Sequence, residues 1–286
     1  MSLTDQFTYH SLKLFHSWLN RLVHRGRNRV GATIGSLAFN RIAIRKVHAR
    51  RHLKLALPNK SDIFIDHNLR ELHRHYGHMF IDALCGTRLV QHGKVAVEGR
   101  EHLDSAYSES KGVILMAGHF GNWELIPPWL AVNGYQMVTV AQRQKNRGAN
   151  RFFVEYREKA GTSPVYPGSS ASNMISTLRA GKILILACDQ NAGKRGEFVD
   201  FFGHPASSPR GPDVFHQKTE APVIAAFCQR EQDESYTIRF DKLPDSNGSE
   251  SVMERFTALL EKEIRQRPEQ YFWFHRRWKT PPSEKP

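Results

Sequence analysis

A histidine and a carboxylate stand where an apolar run hands over to a helical pattern, in Gly118-His119-Phe120-Gly121-Asn122-Trp123-Glu124. Val113-Ile114-Leu115-Met116-Ala117 precedes them and Leu125-Ile126-Pro127-Pro128-Trp129-Leu130 follows. This is a strand's carboxyl end, where α/β proteins place chemistry. Glu124 lies five positions after His119, which puts them on different faces of one continuous helix, so the pair makes sense across a bend. A neutral imidazole held in such a turn accepts a proton, and Glu124 is the expected holder of its other ring nitrogen. The competing reading has Asn122 capping the helix, Glu124 complementing its dipole, and His119 as an incidental loop residue.

The elements that must position these residues divide the chain in two. Residues 1–92 read as basic amphipathic helices packed on a core, and residues 93–286 as the α/β core itself, the whole forming one structural domain. In the first part, Phe7, Leu12, Leu14, Phe15, Trp18, Leu19 and Leu22 recur at helical spacing beside Lys13, Arg21 and Arg25. That pattern fits an interfacial helix, and equally a helix docked on its own domain. A second stretch over residues 28–57 (Val30, Ile34, Leu37, Ala38, Ile42, Ile44) ends at Pro58. A third, over 61–85, starts at Ser61-Asp62 and carries Ile65, Leu69, Leu72, Tyr76, Phe80 and Leu84.

From Lys94 onward, short strands alternate with helices, the mark of βαβ units. Strands are predicted at Val95–Val97, Val113–Ala117, Met137–Val140, Pro164–Tyr166, Ile183–Ala187, Val223–Cys228, Tyr236–Phe240 and Tyr271–Phe274. Helices are predicted over 125–133, 146–160, 171–180 and from Ser251 to Arg267. The fold class is α/β: a mostly parallel central sheet flanked by helices, with a basic helical N-terminal portion. Because carboxyl ends in such a sheet share one crevice, His119, the Arg143 region and Asp189 are expected together. Their convergence favours the catalytic reading of His119.

Composition narrows the function classes. With 40% hydrophobic and 24% charged residues, the chain of 286 is globular. Cys85, Cys188 and Cys228 lie far apart with no metal spacing, and read as buried thiols in a reducing compartment. His73, His75 and His78 form a cluster in a helical segment, and no metal is expected there. Of the net charge of +13, residues 1–100 hold 17 Lys and Arg against 6 Asp and Glu, while the remainder holds 24 against 22. A basic N-terminal third attracts phosphate-rich partners: nucleic acid, an anionic membrane surface or a phosphorylated substrate. No run of about 18 apolar residues exists, and Lys13 and His16 interrupt any signal-peptide core. No recognised nucleic-acid motif appears either, and a nucleic-acid-binding protein would leave the histidine and carboxylate unexplained.

Taken in order, GHFGNWE, the Arg143 and Arg157 segments, ILACDQN, FVDFFGHPASSPRGP and RPEQYFWFHRRWK resemble the bacterial lipid A late acyltransferase family, from the basic helices to Pro281. The resemblance implies transfer of a fatty acyl group from an acyl-carrier protein thioester to a hydroxyl of a membrane glycolipid, without cofactor. It implies His119 as general base with Glu124 as its partner. It also implies a site at the cytoplasmic face of the inner membrane. Arg143 is the expected substrate-phosphate ligand, whereas Arg157 is open between that role and the oxyanion. Asp189, with Gln190 beside it, matches a family aspartate that orients an arginine, or is a cap. Phe201-Phe202 either walls the acyl slot or plugs the core. His275, Arg276 and Arg277 suit a phosphate at a membrane interface, or a strand end with snorkelling side chains.

The chain departs from the family in its N-terminal segment, which is shorter and broken by charge. Association with the membrane surface, rather than spanning, is the expectation. The superfamily also acts on other glycolipids and on aminolipids, so the acceptor is less constrained than the reaction.

Overall fold

The computed structural model describes residues 1–41, 43–140, 142–165, 171–246 and 248–282. Ile42 and Tyr166, both named above, lie outside them. Five helices open the chain: α1 (Leu3–Arg21), α2 (His24–Arg41), α3 (Ala43–Ala56), α4 (Asp62–Ala83) and α5 (Gly86–Gln91). Ser2 and Asp5 close a reciprocal capping box on α1, and Ser61 caps α4 by accepting from the Phe64 N–H. Tyr9 and Leu19 of α1 are buried, and Leu12, Phe15 and Leu22 pack beside them against Ile81 and Leu84. Leu3, Phe7, Leu14 and Trp18 form the exposed stripe on α1. The helix is therefore docked on its own domain through one apolar face and presents a second to solvent.

Close approach of backbones fixes how α2 meets α4. A Cβ on Gly77 would lie 2.2 Å from the Gly31 carbonyl, so only glycine lets the two helices touch here. Beside Gly77 on α4, His75 and Tyr76 donate to the carbonyls of Gly121 and His119 at the end of β2.

The remainder alternates as the sequence predicts: β1 (Val95–Glu98), α6 (Arg100–Ser108), β2 (Val113–Gly121), α7 (Ile126–Val132), β3 (Met137–Val140), α8 (Arg147–Lys159), β4 (Ser163–Val165), α9 (Ala171–Arg179) and β5 (Ile183–Ala187). Then follow β6 (Glu197–Phe201), β7 (His204–Ser208), α10 (Gly211–Thr219), β8 (Val223–Arg230), β9 (Tyr236–Lys242) and α11 (Val252–Gln266). Seven strands form one sheet in the order β1-β9-β8-β2-β5-β3-β4. Every neighbouring pair is parallel except β8 with β9.

Helices cover both faces, which is why β2 and β5 are continuous apolar runs. Ile114, Met116, Leu184 and Leu186 face Leu53, Leu69, Phe256 and Leu260, while Val113, Leu115, Ile183 and Ile185 face Leu103, Trp129 and Leu130. The N-terminal helices and the sheet thus share a core cluster.

The sequence reading lacks α6 and α10, and two further segments differ from it. Tyr271–Phe274 is not a strand: Tyr271 makes one isolated bridge to Phe120, and the chain then turns, with the Trp273 N–H donating to the Tyr271 carbonyl. Tyr271 and Trp273 are both buried, with ring centroids 4.8 Å apart. Conversely, β6 and β7 form an antiparallel hairpin that the sequence reading lacked. Its turn is Phe202-Gly203, both at positive φ, in place of the usual Asn-Gly signal. Phe201 and Phe202 are buried against Tyr271, Trp273 and Trp278, as a core plug.

The three cysteines are buried free thiols. His73 and His75 donate ring N–H groups to the carbonyls of Leu69 (2.8 Å) and Gly121 (3.1 Å). Among the described residues no His, Cys, Asp or Glu cluster is arranged to hold a metal ion.

Candidate active site

His119 lies near the carboxyl end of β2, and the backbone around it is held on every side. Its carbonyl accepts from the Tyr76 hydroxyl (3.0 Å) and the Phe272 N–H (2.9 Å). Its N–H donates to Asp189 Oδ2 (2.9 Å). Two residues on, Gly121 turns the strand at φ +61°, where a Cβ would collide with the Cys228 carbonyl. The short 3₁₀ turn Trp123–Leu125 then leads into α7.

The imidazole is oriented by an aspartate. His119 Nδ1 donates to Asp189 Oδ1 at 2.7 Å, with the histidine side chain 18% exposed and the carboxylate 2% exposed. Asp189 follows β5, and the Cys188 N–H extends the ladder by donating to the Ala117 carbonyl. Neighbouring parallel strands therefore bring imidazole and carboxylate together at the carboxyl end of the sheet, as the crevice rule requires. Nδ1 carries the proton, which leaves Nε2 as the acceptor; the Gln190 amide Nε2 lies 3.2 Å from it. Trp123 sets its ring edge-on to the imidazole at 4.7 Å, and Phe272 lies 6.0 Å away on another side.

Burial alone would push the imidazolium below its ordinary range. The Asp189 charge and hydrogen bond, with a smaller contribution from the Glu124 charge, outweigh it and raise the histidine above 6.5. Burial likewise pushes Asp189 up, but His119 and the Arg277 guanidinium hold it below 3.8. The pair thus favours a carboxylate beside a ring that readily takes a proton. Cys188, next along the chain, is no nucleophile: full burial raises its thiol far above the ordinary value.

Glu124 occupies a different place from the one expected. It forms an ion pair with Arg157 Nη2 at 3.0 and 3.4 Å and reaches His119 only through its charge. Trp123 fills the space against the ring, and the 3₁₀ turn directs Glu124 toward α8. Glu124 and Arg157 lie on a mostly apolar cleft of about 320 Å³, lined further by Met79, Phe80, Leu84, Phe153 and Tyr156. Arg143 stands exposed in the connection between β3 and α8, beside Gln144 of that cleft.

The C-terminal cluster separates into three tasks. His275 Nε2 accepts from the Asn191 N–H at 2.9 Å, and burial lowers the ring to about 4, so it is a neutral anchor for the loop that carries Asp189 and Gln190. Arg276 is exposed and donates to His48. Arg277 is buried, bonded to the Ser207 carbonyl and the Ser208 hydroxyl and placed over the Phe201 ring; it is unavailable to a substrate phosphate. Its charge acts on Asp189 instead. Tyr76, Trp123 and Phe272 escaped the sequence reading, because helical or aromatic periodicity explained them as core.

The arrangement is an imidazole with a buried carboxylate behind it and, among the described residues, no side-chain nucleophile at its other nitrogen, which is the chemistry a general base needs. A family model decides what this belongs to: that of the bacterial lipid A biosynthesis acyltransferases matches residues 6–280. The chain belongs to that family. Similar proteins include the phosphatidylinositol mannoside acyltransferase of Mycobacterium tuberculosis strain H37Rv, 30% identical over 49% of this chain and 47% of the relative. The chain is also 26% identical to the lipid A biosynthesis palmitoleoyltransferase of Escherichia coli K12, over 88% of this chain and 85% of that protein. The lauroyltransferase of the same strain is 24% identical, over 66% and 63%. The chain thus spans about half the length of the mycobacterial relatives it matches and most of the palmitoleoyltransferase.

Proposed function

We propose that the protein is an O-acyltransferase that moves a fatty acyl chain from an acyl-carrier protein thioester to a hydroxyl of a lipid A precursor. The observation that carries this reading is the Asp189–His119 couple; Glu124, five residues along the chain from His119, lines an apolar cleft. An alcohol is too weak an acid to attack a thioester unaided. Nε2 takes its proton as the oxygen bonds to the acyl carbon, and Asp189 stabilises the imidazolium that forms. The C–S bond then breaks, and the departing thiolate recovers the proton from His119. In this reading the Gln190 amide, 3.2 Å from Nε2, turns to donate to the oxyanion. The mechanism uses only the chain's own residues, without cofactor.

The exposed Leu3, Phe7, Leu14 and Trp18 stripe and the basic N-terminal third support binding to an anionic membrane surface. Among the described residues no helix is long and apolar enough to cross a membrane. This accords with a peripheral place on the cytoplasmic face of the inner membrane. The mannoside acyltransferase relative favours a second acceptor for the same chemistry, another glycolipid.

Lipid mass spectrometry of a strain lacking the gene tests the proposal. One lipid A species short by a single acyl group is expected, restored by the intact gene. An unchanged lipid A profile with one underacylated glycolipid of another class would move the acceptor, and unchanged lipids throughout would remove the proposed activity.

A further inference from the structure

The face of α3 that meets the C-terminal segment carries charge with no ion-pair partner among the described residues. On its other face Arg50 pairs with Asp62 and Asp66, and Lys54 with Asp62. Arg45 instead donates to the Phe274 carbonyl at 3.1 Å, and Arg276 Nη2 donates to His48 Nε2 at 3.0 Å. A guanidinium has no acceptor, so His48 Nε2 accepts in this contact. No ion pair among the described residues involves Arg45, His48 or Arg276. Both arginines are exposed and each commits one N–H group, leaving the rest of each planar fork to solvent.

Arg45 and His48 are one turn apart on α3, about 5 Å along its axis, so the two guanidinium groups are brought to one short stretch of surface. That stretch is joined to the base by two routes. Phe272 donates its N–H to the His119 carbonyl, and His275 anchors Asn191, the neighbour of Gln190. A pair of uncompensated guanidinium groups with forks free is the chemistry of a phosphate site, since each can meet two phosphate oxygens at once.

We propose that Arg45 and Arg276, with His48 between them, form a subsite for a phosphate ester on the rim of the His119 crevice. The assignment of the phosphate to a substrate rests on the acyl-transfer reading; the binding itself does not. Two sources share this chemistry, the headgroup of the acceptor lipid and the phosphate of the donor's pantetheine arm.

Titration calorimetry at constant ionic strength tests it on the full chain. The probes are inorganic phosphate, 4′-phosphopantetheine, and phosphatidylcholine vesicles carrying phosphatidic acid, compared with vesicles matched in charge by phosphatidylglycerol. Arg45→Gln and Arg276→Gln should each weaken phosphate binding fivefold or more. Arg50→Gln removes the same charge from the paired face and should change it less than twofold. His119→Ala should bind as the wild type does, so an inactive but phosphate-binding protein would separate this subsite from the catalytic reading. Selective loss for phosphatidic acid assigns the acceptor headgroup, and selective loss for phosphopantetheine the donor arm. Equal weakening by all three arginine variants, or no binding of any phosphate probe, would overturn the subsite.

Discussion

Replacing Asp189 by asparagine separates the charge of the orienter from its shape. The carboxylate accepts two hydrogen bonds, from the His119 ring Nδ1 at 2.7 Å and from the His119 backbone N–H at 2.9 Å. An asparagine has one acceptor and one donor for these positions. With its oxygen on Nδ1, its amide N–H groups face the backbone N–H and leave a buried donor unsatisfied, at a cost of about 1–3 kcal/mol. Turned the other way, both contacts are kept, but Nδ1 becomes the acceptor and the neutral ring's proton moves to Nε2. The favoured arrangement therefore has no base facing the substrate, and the imidazolium also loses its counter-charge. A kcat loss of about 10³–10⁴-fold follows, as in other histidines deprived of a buried aspartate, or about 4–5.5 kcal/mol of barrier. Substrate binding and melting temperature should change little, because both hydrogen bonds survive.

The sign of the pH effect is fixed as well. In the wild type the Asp189 charge holds His119 above 6.5 against burial. Without it burial prevails, so the ascending limb of kcat/KM moves from above pH 6.5 to below it. Steady-state transfer from acyl-carrier protein to lipid across pH 5–9 reads both effects. A variant that keeps more than a tenth of wild-type turnover, with its limb unmoved, would refute the reasoning.

Three further outcomes follow from the same geometry. Arg277→Gln removes a cation that holds Asp189 below its ordinary range, so the limb set by His119 should rise in pH, and Arg277→Lys should restore it; an unmoved limb would reduce Arg277 to a brace for the hairpin. Ala83→Phe, whose side chain would enter the apolar cleft, should lower kcat/KM for long acyl donors about tenfold more than for short ones, and an unchanged chain-length profile would exclude the cleft from acyl binding. Changing exposed Phe7, Leu14 and Trp18 together to serine should weaken retention on phosphatidylglycerol vesicles at least fivefold without lowering the melting temperature. Raised salt should weaken the remaining binding, and retention equal to wild type would remove α1 from the membrane contact.

The sequence shows the sheet well, because strands covered on both faces are continuous apolar runs and few other patterns produce them. It also shows His119, since a strand end followed by Gly121 and a proline-bearing helix start is a local signal. The partner was harder to read. Glu124 lies five residues away and Asp189 seventy, and only the parallel pairing of β2 with β5 decides between them. Arg276 and Arg277 are adjacent in sequence yet have opposite fates, one exposed beside His48 and one buried on Ser207. That outcome depends on the Phe202-Gly203 hairpin, whose turn lacks the usual residues, and on the curl at Tyr271–Phe274, where Tyr271 and Trp273 are buried although the backbone turns away from the strand these aromatics prefer.

Turnover by purified His119→Ala, measured with radiolabelled acyl-carrier protein thioester and a lipid A precursor, tests the central claim most directly. Wild-type protein should move the label to the lipid, while the variant, folded and melting at the same temperature, should fall by at least about 10³-fold, the scale of lost base catalysis. Transfer by His119→Ala at the wild-type rate would contradict the assignment of this histidine as the base.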